Sequence, residues 1–146
     1  SHTTMLRFEQ DVLPFQPYNL FILTGSNSLR AENISAEDII ADLEAIRKKC
    51  EKHDIRPIFL TLMPIHPANI KNAFQTDTDP DWAEKMAVVN AYIRNQKYHI
   101  DLEPYFYDMS HTMLDSQLAI DGLHPDIRGK MLMAEIINQH LDLLNK

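Results

Sequence analysis

Residues 18–24 read Tyr-Asn-Leu-Phe-Ile-Leu-Thr, and a turn of sequence Gly-Ser-Asn-Ser follows at residues 25–28. This run is short and mostly apolar, which is typical of a strand that is covered on both faces of a parallel sheet. Ser35 then begins a long helix, with Asp38 as its capping-box partner. Residues 57–63 (Pro-Ile-Phe-Leu-Thr-Leu-Met) predict a second buried strand. This alternation of strand and helix indicates an α/β fold with a parallel sheet.

The remaining elements continue the alternation. A first helix is predicted at residues 4–13, ended by Pro14, and a third strand at residues 99–102. A long loop, residues 64–79, precedes a helix that begins with an N-cap aspartate and proline. The last helix is predicted at about residues 126–144, and its inward side chains would be Met131, Ile136, Ile137 and Leu141. Three strands are few for such a sheet, so we expect one edge of the first strand to lack a partner.

Composition limits the class of protein. The 146 residues are 45% hydrophobic, which suits a single domain with a sizeable core. A net charge of −7 and the absence of a basic run argue against nucleic acid as a partner. The single cysteine, Cys50, lies on the apolar stripe of the long helix and excludes an internal disulfide. No membrane span or signal peptide is visible, so the default expectation is a cytoplasmic location.

Three segments follow the carboxyl ends of the predicted strands and should meet at one rim of the sheet, where ligands of parallel sheets bind. They are residues 25–28, 63–67 and 121–124. There Asp121, three residues before His124, can orient an imidazole base. The side-chain amide of Asn27 can donate to a developing oxyanion. Gly25 permits close approach of the backbone to a ligand. The sequence therefore predicts the base and oxyanion parts of a hydrolase site.

Each of these segments also has an ordinary structural interpretation. Gly-Ser-Asn is common in loops, and Asp-Gly is a frequent turn dipeptide. His66, between two prolines, either lines a substrate cleft or is an exposed loop residue. The other histidines lack the spacing of metal ligands, so no metal site is predicted.

Taken together, two segments resemble the sequence blocks of the SGNH, or GDSL-type, lipases and esterases. Residues 19–28 resemble the third block of that family, a hydrophobic strand that ends in Gly-x-Asn-Asp. Asp121-Gly-Leu-His124-Pro125 resembles the last block, Asp-x-x-His. The order of the two blocks and their wide separation fit as well.

The resemblance implies a flavodoxin-like three-layer α/β/α sandwich and hydrolysis of small acyl esters by a Ser-His-Asp triad. In that triad His124 would be the general base and Asp121 its orienting carboxylate, with Asn27 as an oxyanion donor. Gly25 and His66 would contact the small-molecule ester, and residues 64–79 would set acyl or alcohol specificity. The family's reaction needs no metal or other cofactor.

Two departures from the family pattern matter. Ser28 stands where the family usually has aspartate, and the Gly-Asp-Ser block with the nucleophile is absent from the 146 residues. The glycine of the second block is absent too, and no serine present has a strand-to-helix elbow around it. We therefore expect residues 1–146 to be a single, N-terminally incomplete domain that is almost inert toward esters by itself.

The open sheet edge would then be covered by the missing N-terminal segment or by a second copy of the chain. An alternative is a noncatalytic binding or interaction module that retains the rim. A metal-dependent hydrolase that uses the histidines is a third possibility, for which the sequence offers no ligand spacing.

Overall fold

The computed structural model describes residues 1–145 and has a parallel sheet at its centre. The strands are β1 (Asn19–Ile22), β2 (Arg56–Leu60) and β3 (His99–Ile100), in the order β1-β2-β3. Phe21 of β1 pairs with Ile58, and Phe59 of β2 pairs with His99. All three predicted strands are present, each shorter than the sequence pattern indicates.

Helices lie on both faces of this sheet, so the predicted α/β fold is confirmed. They are α1 (His2–Leu6), α2 (Phe8–Asp11), α3 (Ser26–Leu29), α4 (Ala36–Lys52), α5 (Pro67–Phe74), α6 (Trp82–Arg94) and α7 (Ile127–Asn138). Short 3-10 helices cover Leu13–Phe15, Glu103–Tyr105 and Leu141–Leu144.

Helix α4 begins as the sequence predicts. The Ser35 hydroxyl accepts the Asp38 N–H at 3.1 Å, and the Asp38 carboxylate accepts the Ser35 N–H at 2.9 Å. These two reciprocal bonds form a capping box and satisfy backbone donors that the helix itself cannot. Cys50 is buried near the end of the helix, as predicted.

Two hydrophobic cores lie on opposite faces of the sheet, because side chains alternate along β2. Phe59 packs into a core formed mainly by α4 and α6. Its neighbours Ile58 and Leu60 pack into the other core, to which Ile136 of α7 contributes. Strand β2 is therefore covered on both sides, as a central strand of a three-layer fold must be.

Strand β1 lies at an edge of the sheet. Among residues 1–145, only β2 pairs with it, and the other edge has no strand partner. Phe21 is 40% exposed, whereas Ile58, its register partner on β2, is 0% exposed. An apolar, half-covered edge of this kind is suited to accept a further strand.

A buried asparagine holds the chain just beyond β2. The Asn90 amide accepts the Leu62 N–H at 2.7 Å and donates to the Leu62 carbonyl at 2.9 Å. It also donates to Glu103 at 2.6 Å. Asn90 thus pairs with Leu62 as a neighbouring strand would, and fixes the segment that leads from the sheet to the rim.

The predicted boundaries of the first and last helices are wrong. Residues 4–13 form the end of α1, all of α2 and the start of a 3-10 turn rather than one helix, and Pro14, which has no backbone N–H, lies within the 3-10 turn. The last helix ends at Asn138, and Leu141 is 46% exposed. Met131, predicted to face inward, is 60% exposed. Helix α7 buries Gly129 and Ile136 on one face, and Met131 lies about 200° around the axis from Gly129.

The predicted long loop of residues 64–79 contains a helix that the sequence analysis missed, α5. A start signal was present, since Pro67 occupies the first helical position and His66 precedes it. The following helix, α6, starts at Trp82 with Asp81 as its N-cap, later than predicted. The Asp79 carboxylate accepts the Asp81 N–H at 2.8 Å and so still stabilises the turn that leads into α6.

Candidate active site

A tight turn brings Asp121 and His124 together. One carboxylate oxygen of Asp121 accepts the backbone N–H groups of Leu123 at 2.8 Å and His124 at 2.7 Å. The other oxygen lies 2.7 Å from Nδ1 of His124. A carboxylate can only accept, so Nδ1 of His124 carries the proton and Nε2 is the acceptor of the neutral ring. This is the arrangement that an acid-oriented general base requires.

The electrostatics of the turn keep Asp121 charged. Burial raises the pKa of Asp121, but the hydrogen bonds from His124 and Leu123 outweigh it and hold the pKa below its usual value of 3.8. The His124 side chain is 61% exposed, whereas that of Asp121 is 28% exposed. The carboxylate is therefore shielded behind a ring that faces solvent.

Gly122 lets this turn pack closely against the start of α5. Its φ is +81°, and a Cβ at this position would lie 2.5 Å from the His66 carbonyl oxygen. The Gly122 carbonyl accepts the His66 N–H at 2.9 Å. Only glycine combines this backbone conformation with so close a contact. The Asp121–His124 turn is thus fixed, through His66, to the segment that follows β2.

His66 is the N-cap of α5 and is partly buried, so it is not simply an exposed loop residue. Its Nδ1 accepts the Asn69 N–H at 3.2 Å and therefore carries no proton. The Asn69 side chain in turn donates to the Ser116 hydroxyl at 3.0 Å. His66 lies next to the Asp121–His124 turn, and contact between His66 and substrate stays a prediction.

The segment after β1 turns sharply into α3. Gly25 has a φ of +123°, and a Cβ there would lie 3.2 Å from Ile39 and 3.3 Å from Leu62. The side chain of Asn27 is exposed and, among residues 1–145, forms no hydrogen bond. Ser28 is buried. An amide without a partner on the surface is available to a ligand, which is compatible with the predicted oxyanion role.

Phe74 connects this segment to His124. The Phe74 ring meets the His124 ring edge to face, with centroids 6.0 Å apart and planes at 72°. The guanidinium carbon of Arg30, one residue beyond α3, lies 5.1 Å from the Phe74 ring centroid. Sequence reasoning missed both residues, since nothing in the sequence marks them as neighbours of His124.

The described residues place no nucleophile against the His124 ring. Within residues 1–145, no serine, threonine or tyrosine hydroxyl hydrogen-bonds to the His124 ring. The Ser35 hydroxyl caps α4, Ser110 donates to Asp108 at 2.8 Å, and Ser116 accepts from Asn69. Ser26 and Ser28 belong to α3.

A cavity of about 690 Å³ lies elsewhere, at the amino ends of β2 and β3. Arg56, Pro57 and Tyr98 line it, and the Arg56 guanidinium stacks on the Tyr98 ring at 4.5 Å. Ligands of open parallel sheets bind beyond the opposite, carboxyl ends of the strands. We therefore place the candidate site at the Asp121–His124 rim and not in this cavity.

Residues 1–145 hold no group of three or more His, Cys, Asp and Glu side chains arranged to bind a metal ion. None of the helices described for this part of the chain combines the length and apolar character needed to cross a bilayer.

Comparison with known proteins gives matches among solved structures. No protein-family profile matches the chain, and no curated protein sequence matches it. A GDSL-like lipase from Bacteroides thetaiotaomicron superposes with a TM-score of 0.77 and 21% identity, over 94% of this chain and 68% of that one. A lipase/acylhydrolase from Enterococcus faecalis gives 0.72 and 18%, over 94% and 67%. An acetylxylan esterase from Geobacillus stearothermophilus gives 0.68 and 19%, over 99% and 67%.

These likenesses extend over nearly all of this chain and about two thirds of the length of each solved protein. The superposition includes the parallel sheet and the helices on both of its faces. At these identities the likeness is one of fold. This chain has the fold of the GDSL-type, or SGNH, lipases and acylhydrolases.

Proposed function

We propose that this chain carries the base half of a serine ester hydrolase that acts on small acyl esters. The observation that carries the proposal is the Asp121–His124 pair, with 2.7 Å between Oδ2 and Nδ1 and a solvent-facing ring. The shared fold supports it, because the solved proteins include lipases and an acetylxylan esterase. His124 is the general base in this proposal, and Asp121 orients it.

The reaction would proceed in two halves. Nε2 of His124 takes the proton of a serine hydroxyl as its oxygen attacks the acyl carbon, and the imidazolium then protonates the leaving alcohol. Water repeats the cycle on the acyl-enzyme and releases the acid. The Asn27 amide would donate to the oxyanion in both halves. Loss of one such donor typically lowers kcat by about 10²–10³-fold.

We propose that the serine arrives on a strand that pairs with the open edge of β1. That edge has no strand partner within residues 1–145, and Phe21 on it is 40% exposed. A parallel strand there would end at the same rim as Gly25 and would bring its last residues toward His124. The strand could belong to the same polypeptide or to another chain.

Without that strand, the 146 residues alone should be almost inert toward esters, since loss of the nucleophile alone costs about 10⁶-fold in turnover in a comparable triad. Gly25 and His66 are proposed to contact the substrate, and residues 64–79 are proposed to set its acyl or alcohol specificity. Exchange of residues 64–79 with unchanged substrate preference would contradict the last assignment.

The test compares this chain with the same chain extended upstream in its own reading frame. Both are assayed with p-nitrophenyl acetate and with a fluorophosphonate serine probe, followed by intact-mass measurement. We expect probe labelling and ester turnover only in the extended protein, and loss of turnover in its His124→Ala variant. His53→Ala, a change to an exposed histidine on α4's C-cap, is the matched control and should retain turnover.

Two results would contradict the proposal. Turnover that persists in His124→Ala would show that His124 is not the general base. Stoichiometric labelling of the 146-residue chain would show that the nucleophile lies inside it. If neither protein reacts, the noncatalytic binding module becomes the better description.

A further inference from the structure

Phe74 is a second contact on the ring of the proposed base. It is the last residue of α5 and is 38% exposed, so its ring lies at the surface of the rim. Its ring meets the His124 ring edge to face, and the Arg30 guanidinium lies against it at 5.1 Å. Aromatic rings favour this geometry, and a cation over a ring is attracted to its electron density.

Helix α5 holds Phe74 in place because both of its ends are fixed. At its start, His66 donates its backbone N–H to the carbonyl of Gly122 in the Asp121–His124 turn. At its end, Gln75 adopts a left-handed conformation (φ 57°) and donates its N–H to the Lys71 carbonyl, which terminates the helix. The helix thus contacts the turn of Asp121 at one end and the His124 ring at the other.

One hydrogen bond does not fix the plane of an imidazole ring. The hydrogen bond between Asp121 and Nδ1 of His124 sets the distance between the carboxylate and the ring. The ring can still tilt about the line that joins Nδ1 and Oδ2. A second contact, on another part of the ring, removes this freedom and sets the direction in which Nε2 points. Proton transfer depends on that direction, because the base must lie within hydrogen-bond reach of the hydroxyl.

We infer that Phe74 is a positioning residue for His124 and that Arg30 holds the Phe74 ring against it. The catalytic consequence rests on the proposed esterase function, whereas the positioning itself is a property of this chain. Arg30 follows the segment that bears Asn27, so one aromatic ring contacts the base and a neighbour of the proposed oxyanion donor.

The first experiment needs no nucleophile. The ring ¹H–¹³C signals of the histidines are recorded in the labelled 146-residue protein, and His124→Gln identifies those of His124. We expect Phe74→Leu to lower the ¹³C relaxation order parameters of the His124 ring, because the ring loses its second contact and becomes free to tilt, and Phe74→Tyr to keep them close to wild type. Phe15→Leu, the same change at an 80% exposed phenylalanine outside the site, is the matched control.

Arg30 provides a second variant. Arg30→Leu should lower the order parameters of the His124 ring less than Phe74→Leu does, because the Phe74 ring is still present but less restrained. Thermal unfolding of each variant shows that it is folded. Order parameters of the His124 ring that fall no more in Phe74→Leu than in Phe15→Leu would overturn the inference.

The second experiment measures turnover in the extended protein. Misplacement of a catalytic group by about 1 Å can cost about 10²-fold, so Phe74→Leu should lower kcat by about 10–100-fold with little change in KM. Phe74→Tyr should restore most of kcat. Unchanged kcat in Phe74→Leu would overturn the inference. An inactive wild-type protein in which the order parameters of the His124 ring fall as expected in Phe74→Leu would refute the esterase proposal and leave the positioning of His124 supported.

Discussion

Replacement of Asn90 by alanine should strongly destabilise the fold. Asn90 is fully buried and satisfies both backbone groups of Leu62, with bonds of 2.7 and 2.9 Å. Alanine would leave a buried N–H and a buried C=O without partners. Each such group costs about 1–3 kcal/mol, so the free energy of unfolding should fall by about 2–6 kcal/mol. That is a large part of the about 5–15 kcal/mol that stabilises a typical domain.

Urea denaturation followed by circular dichroism would measure this loss. The transition midpoint should fall while the slope m stays constant, which identifies a change in stability. Asn95→Ala is the matched control, because Asn95 is an exposed residue just beyond the same helix, and its effect should lie within about 0.5 kcal/mol. A loss below about 1 kcal/mol in Asn90→Ala would refute the argument, since it would mean that Leu62 finds other partners.

Three further predictions concern the turn, the pH dependence of stability and the cysteine. Gly122→Ala should destabilise the protein in thermal unfolding, because its Cβ would lie 2.5 Å from the His66 carbonyl oxygen and its φ is +81°. Arg47 and Tyr92 lower the pKa of Glu44 from 4.5 to about 2, so its contribution to stability is present above pH 4.5 and is lost as the pH falls toward 2. Glu44→Gln should therefore reduce the dependence of the urea midpoint on pH in that range. An unchanged pH dependence would count against the pairing of Glu44 with Arg47 and Tyr92. Burial raises the pKa of Cys50 to about 12, so this thiol should react with a thiol reagent only after unfolding.

The sequence predicted the elements whose local signals agree with their tertiary setting. The capping box at Ser35 predicts the start of α4, and the apolar run of residues 57–63 predicts β2, as the structure has them. Helix α5 was missed because eight residues with one proline and two asparagines give a weak periodic signal. Met131 was placed wrongly because apolar spacing does not reveal which stripe of a helix packs, and the close approach of Gly129 decides it.

The residues of the candidate site also divide into those that the sequence pairs and those that only the tertiary fold brings together. Asp121 and His124 could be paired from sequence, because three residues separate them and a turn brings them together. Phe74 and Arg30 could not, because a ring contact between segments so distant in the chain depends on the tertiary fold. The roles of Asn27, Gly25 and His66 in substrate binding remain predictions.

The local character of the Asp121 turn has a consequence for how the base forms. The carboxylate bonds to groups within three residues of itself, so closing this loop costs little chain entropy. A serine on another strand must instead be brought in by the sheet as a whole. The Asp121–His124 pair can therefore form independently of the nucleophile, and during evolution a polypeptide could acquire, lose or exchange the nucleophile strand while this pair stayed intact.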